Sequence, residues 1–147
     1  MHGAALLFAL LTVLQAGSPA AQSPFVGEWT ANVPKSKLSP KYQFQSATLQ
    51  IAVAGDTVTM TSRVVDALGQ EQRAAETFRT DGTETPGTLT PEVVLVARWV
   101  GSHVLASIAK RGNQVIALVT YEVSTDGKTL TSRSSGMVDQ VIVFDRK

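Results

Sequence analysis

The chain contains no cysteine. That excludes disulfide staples, thiolate metal sites, a cysteine nucleophile and a lipid-modified cysteine behind a leader. Histidine is nearly as scarce, with only His2 and His103 present, so a multi-histidine metal centre or a haem held by two histidines is excluded as well. No glycine-rich phosphate loop and no nucleophile-elbow motif occurs. Charged residues make up 17% of the chain and almost cancel, 13 Lys+Arg against 12 Asp+Glu, so no global field draws the protein to nucleic acid or to an anionic membrane. Sustained helical periodicity is missing too. Without staples or metals the fold must rest on its hydrophobic core alone, and 44% hydrophobic residues in a 147-residue chain suffice for a single domain with such a core.

Long apolar runs are absent but for one. Ala4 to Ala16 reads AALLFALLTVLQA, the length of a signal-peptide core and short of the roughly 20 residues a spanning helix needs. Ser18 and Ala20 supply the small residues a signal peptidase reads, which predicts a signal peptide over residues 1–20 and a domain over 21–147. The leader lacks Lys and Arg; its only basic groups are the amino terminus and His2. The expected destination is the periplasm or the outside of the cell, with no stable membrane anchor once the leader is cut.

What the mature chain has is short strands and regular turns. Turn signals recur at Gly55-Asp56, Leu68-Gly69, Asp81-Gly82, Gly101-Ser102, Gly112-Asn113, Asp126-Gly127 and Ser135-Gly136. Thr48 to Val53 alternates strictly, Leu49, Ile51 and Val53 against Thr48, Gln50 and Ala52; Thr57 to Val64 repeats the pattern with Val58, Met60 and Val64 on the apolar face. Gly55-Asp56 between them leaves room only for a tight hairpin. Further strands are expected at Phe25–Ala31, Glu71–Arg79, Glu92–Val100, His103–Lys110, Gln114–Ser124, Thr129–Ser135 and Met137–Arg146, about nine or ten in all. Pro34 to Gln45 is the one long irregular stretch, expected as a loop or a short turn of helix. So many strands joined by hairpins would leave a wide sheet with two open edges, and closure into one up-and-down antiparallel β-barrel removes them. The fold class is therefore all-β. In Val93–Val100 and Val115–Val119 both parities are apolar, so the interior face stays undecided there, and a dimer through the outer face is one expectation beside a monomer.

Gly27-Glu28-Trp29-Thr30, followed by Asn32-Val33-Pro34-Lys35-Ser36-Lys37-Leu38, resembles the opening of small exported bacterial lipocalin-like proteins. Ser124-Thr125-Asp126-Gly127-Lys128-Thr129-Leu130-Thr131 looks like their penultimate hairpin, and Val141 to Lys147 like their closing strand. The resemblance implies a calycin-type barrel with an interior cavity, akin to lipocalins and fatty-acid-binding proteins. It also implies that Trp29 plugs the closed end, stacked by Arg146. The Ser135-Gly136-Met137 turn is shorter than the glycine-containing loop such proteins often carry there.

The cavity is the expected place for function, since small barrels either fill with side chains or hold one ligand. Arg98, between Val96 and Val100 of its own parity, is a candidate for gripping a ligand carboxylate; the bland alternative is an arginine at the rim or in solvent. Tyr121 could offer its hydroxyl to the same ligand, or simply sit at a strand end with its tip wet. Met60 and Trp99 are candidate wall residues that core packing explains equally well. A Ser–His–Asp arrangement needs only one histidine, yet His103 beside the Gly101-Ser102 turn reads as an ordinary loop residue, and no catalytic residue is expected. An enzyme would require His103, Arg98 and Tyr121 to converge. Lys35, Lys37 and Lys41 form one basic cluster on the proline-containing loop, either solvated or facing an anionic group at the barrel mouth. The leading expectation is an exported binding protein for a small hydrophobic molecule, with no cofactor, no metal and no nucleic-acid partner. The alternative is an interaction module of the cell envelope with a solid barrel.

Overall fold

The computed structural model describes residues 22–88 and 90–147, so the segment 1–20 expected to be a signal peptide lies outside the described residues. Ten strands form one antiparallel sheet: β1 (Gly27–Ala31), β2 (Phe44–Ala54), β3 (Thr57–Asp66), β4 (Glu71–Arg79), β5 (Thr85–Pro86), β6 (Val93–Trp99), β7 (Val104–Arg111), β8 (Gln114–Val123), β9 (Thr129–Gly136) and β10 (Gln140–Arg146). Their spatial order is β4-β3-β2-β1-β10-β9-β8-β7-β6-β5. Each strand pairs with its neighbours in the chain except β4 with β5, and β1 pairs with β10, so the meander curls into a nearly closed barrel. The two free edges are stitched at one end only. There the Arg79 amide donates to Thr85 Oγ1 (3.0 Å), the Gly82 amide donates to the Ala97 carbonyl (3.0 Å), and Asp81 bridges to Arg98.

The local causes are those of any pleated sheet. Gly55 sits at φ +58° in the first central position of the two-residue loop that joins β2 to β3, a conformation the II′ hairpin turn requires and a side chain resists. Pairing of Ile51 with Met60 and of Val53 with Val58 then puts one apolar row inside, while Thr59 and Thr77 share a hydrogen bond (3.0 Å) outside.

Several boundaries differ from the sequence expectation, most by one or two residues and three with a visible cause. β2 begins at Phe44, ahead of the strictly alternating part, because β3 is long enough to pair with it after a bulge near Ser46. β10 begins at Gln140, since residues 137–139 form a loop in which Asp139 Oδ1 accepts from the Gly136 amide (3.2 Å). Phe25 lies in a turn ahead of β1 rather than in the strand. β5, two residues including a proline, is too short to leave a periodic trace. The irregular stretch after β1 holds a single 3-10 turn, Val33–Lys35, capped by Asn32; Ser36 Oγ accepts from the Val143 amide (2.9 Å) and Lys37 pairs with Val141, so this segment takes over β1's place beside β10.

The core gathers at one end of the barrel. Phe25, Trp29, Ile51, Val58, Leu105, Val123 and Leu130 are almost wholly inaccessible. Trp29 Nε1 donates to the Phe25 carbonyl (3.0 Å), and the Phe25 ring meets Trp99 edge-on with centroids 5.0 Å apart. Arg146 lies over the Trp29 ring, its Cζ 4.1 Å from the centroid. Its guanidinium donates to the carbonyls of Gly127 (2.7 Å) and Val26 (2.8 Å), and also to that of Pro24. A Cβ at Gly27 would fall 2.6 Å from that guanidinium, so the glycine of the G-x-W segment is what lets the arginine lie down.

Trp29→Ala should therefore lose about 3–5 kcal/mol of stability, as large aromatic truncations in cores do. Arg146→Ala should lose about 1–3 kcal/mol from its charge-assisted hydrogen bonds and ring contact. Urea denaturation followed by tryptophan fluorescence measures both, and Arg146→Lys should not recover the loss, since one ammonium cannot stack and reach three carbonyls together.

Candidate ligand cavities at the barrel mouth

At the end opposite Trp29 the barrel is not filled. A cavity of about 330 Å³ opens beside the gap between β4 and β5, lined within by Ala74, Glu76, Leu95 and Ala109, with Gly87 and Arg111 at its rim. A second, of about 480 Å³, lies beneath the residue 38–43 segment, lined by Phe44, Ala47, Val64, Ile142 and Phe144 with Gln72 and Gln140 among them and Lys41 and Tyr42 at its edge. Both fall in the range of roughly 300–1,000 Å³ in which small-molecule sites are found. The register explains the space. Around β6, β7 and β8 the closed end presents Trp99, Leu105 and Tyr121 in one interior row, whereas the mouth presents Leu95, Ala109 and Ala117. The same sheet therefore runs from large to small side chains and leaves its upper interior open.

The polar groups inside are few. On β4 the interior parity carries Gln72, Ala74, Glu76 and Phe78, with Glu76 opposite Met60. Ser107 Oγ donates to the Val119 carbonyl (3.3 Å). Ser134 Oγ is buried and has no hydrogen-bond partner. Tyr121 faces inward between Leu105 and Ser132; burial, with the Glu76 carboxylate adding to it, pushes its hydroxyl up to about 12, so at neutral pH it is a hydrogen-bond donor and not an anion.

Of the four candidate ligand residues, Met60 and Tyr121 are interior. Trp99 packs into the floor against Phe25. Arg98 does not enter the barrel: it is exposed on the outer face, its guanidinium over Gly82, in a shallow groove with Val96, Ala106 and Leu118. Of the two places the sequence left open for Arg98, cavity or solvent, it takes the second; both parities of β6 are apolar, and only the pairing of Ala97 with Ser107 and of Trp99 with Leu105 shows which one faces in. His103 accompanies Ser102 in the β6–β7 turn at the closed end, Nδ1 2.7 Å from the Ser102 hydroxyl. Arg98 outside, Tyr121 inside and His103 in that turn do not converge. Lys41 stands at a cavity edge, whereas Lys37 is tied into the pairing with β10. Sequence reasoning missed Glu76, although a carboxylate in phase with Phe78 on a nine-residue strand was a visible signal.

No family model matches the chain, and no curated protein matches it in sequence. Solved structures do match in shape. A Schistosoma mansoni fatty acid binding protein in complex with arachidonic acid aligns at TM-score 0.61 and 16% identity, over 85% of this chain and 97% of the other. A fatty-acid-binding protein from Drosophila melanogaster brain aligns at 0.60 and 21%, over 82% and 98%. Zebrafish ileal bile acid-binding protein complexed with cholic acid aligns at 0.60 and 15%, over 85% and 100%. At such identities the likeness shows the fold, a fatty-acid-binding-protein-like barrel.

The buried phenol is directly measurable. A phenol whose folded pKa is raised contributes stability that is complete below its unfolded value of about 10 and lost as pH climbs toward 12. Phenolate absorbance should show Tyr121 ionising only near that upper limit, and Tyr121→Phe should remove that late step and flatten the alkaline loss of stability.

Proposed function

We propose that this protein binds a small, largely apolar molecule in the mouth of its barrel, performs no chemistry on it, and is exported to do so. The contrast between a packed closed end and an unfilled mouth carries the proposal: a barrel serving only as a scaffold gains by filling that space, since each missing methylene forfeits dispersion contacts and buried area. The fold neighbours named as fatty-acid- and bile-acid-binding proteins support the same reading. Export rests on the apolar run from Ala4 to Ala16 and the small residues Ser18 and Ala20.

A second reading, an interaction module, is favoured by one observation. The outer face of β6–β8 is apolar, with Val100, Val115 and Leu118 about half exposed or more. A protein partner or a second copy could cover that strip without using the cavities.

The deciding experiment is titration with Nile red, a neutral apolar fluorophore, into the wild type and into Ala109→Trp, which places an indole in the smaller cavity. Binding should weaken at least roughly tenfold in the variant, about 1.4 kcal/mol, while the melting temperature is kept. Wild-type protein that ignores the dye and other apolar probes would turn attention to the outer strip. Export has its own check. Expressed with its leader, the protein should be recovered outside the cytoplasm with an intact mass that begins at Ala21, and full-length chain left in the cytoplasm would overturn it.

A further inference from the structure

The barrel wall carries a carboxylate, Glu76, that enters none of the ion pairs among the described residues. Glu76 lies on the inward parity of β4, in the row of Met60 and Ile51, and lines the smaller cavity. Ion pairs among the described residues all lie at the surface: Arg63 and Arg73 with Glu71, Arg79 with Asp81, Lys110 with Glu84, and Lys147 with Glu28. The remaining cations stand elsewhere. Arg98 and Arg133 are on outward rows, Lys35, Lys37 and Lys128 are exposed, Arg146 is spent on Trp29, and Arg111 and Lys41 mark the cavity rims. Deeper in, the interior offers neutral groups, the Tyr121 hydroxyl and the unpartnered Ser134 hydroxyl among them.

A half-buried charge outside any ion pair gives up some solvation, and an alanine or valine in that row would pack without that cost. Such a group makes physical sense when a ligand supplies the counter-charge. Arg111 lines the same cavity but is exposed at its rim, so an acid drawn in as far as Glu76 would meet a carboxylate, whereas an ammonium there would gain a charge-assisted hydrogen bond in a site drier than bulk water. We propose that the molecule held in the cavity is a lipophilic amine, an apolar frame ending in a basic nitrogen, and that Glu76 receives the nitrogen. The inference rests on the cavity reading and adds the head group to it. It also separates this barrel from the two fold neighbours in complex with an acid, arachidonic or cholic.

The test uses three probes of equal chain length, dodecylamine, 1-dodecanol and sodium dodecanoate, each displacing Nile red from the folded protein at neutral pH. Dodecylamine should bind at least roughly tenfold tighter than dodecanoate, the size of one net charge-assisted contact. Glu76→Gln should bring the amine close to the alcohol and improve the acid, while Glu76→Asp keeps the amine preference. Dodecanoate binding as well as dodecylamine to the wild type overturns the head-group assignment, and that ranking needs no variant to be read. A preference that survives Glu76→Gln overturns the role of this residue. Binding of the alcohol and the acid ahead of the amine would leave the cavity reading standing without this inference. Failure of all three probes to displace or bind would sink the cavity reading and this inference with it.

Discussion

The stack of Arg146 on Trp29 holds the first and last strands of the sheet together, and the barrel depends on that junction. β1 and β10 are the first and last strands, and their pairing turns a ten-stranded meander into a curled sheet. Trp29 fills the floor from β1; Arg146 covers it from β10 and reaches back to the carbonyls that precede β1. Glycine at position 27 clears the ground for the guanidinium. Phe25 and Trp99 complete the plug, so the apolar surface that sustains a cysteine-free domain is concentrated where the ends meet.

That concentration is what permits the other end to stay open. A small barrel has room for one layer of side chains across its interior, so exchanging aromatic for alanine along the same strands converts core into cavity. The change from Trp99 and Leu105 to Leu95 and Ala109 happens within four residues on adjacent strands. The gap between β4 and β5 is bridged, among the described residues, near Arg79–Gly82, and the smaller cavity opens beside it. Packing, closure and opening are thus arranged along one axis.

Charge follows the same division. The ion pairs sit outside, in high dielectric, where each contributes little to stability and keeps the sheet soluble. Inside, one carboxylate and a few hydroxyls interrupt an apolar wall, which is the composition of a recognition site rather than of a core. The outer face of β6–β8 departs from the pattern by being apolar where the rest of the barrel is polar, and that is why these strands read as buried on both sides.

Much of this was legible in the residues themselves. The hairpins, the strand count, the all-β class and the near-closed barrel follow from turn glycines and period-two alternation, which are local properties of the chain, and Leu49, Ile51, Val58 and Met60 declared their face without help. Where both faces of a strand are apolar the period carries no sign, so Arg98 could not be placed; that needed the register of β6 on β7. The direction of Glu76 became meaningful only when its row was seen to run through Met60 into a cavity. The size of that cavity, the exclusion of Arg98 and the absence of an ion-pair partner for Glu76 among the described residues are sums over strands far apart in sequence. Local patterning therefore determined which strands form and how they turn, and tertiary pairing alone decided what they enclose, because an interior belongs to the closed sheet and to no single strand of it.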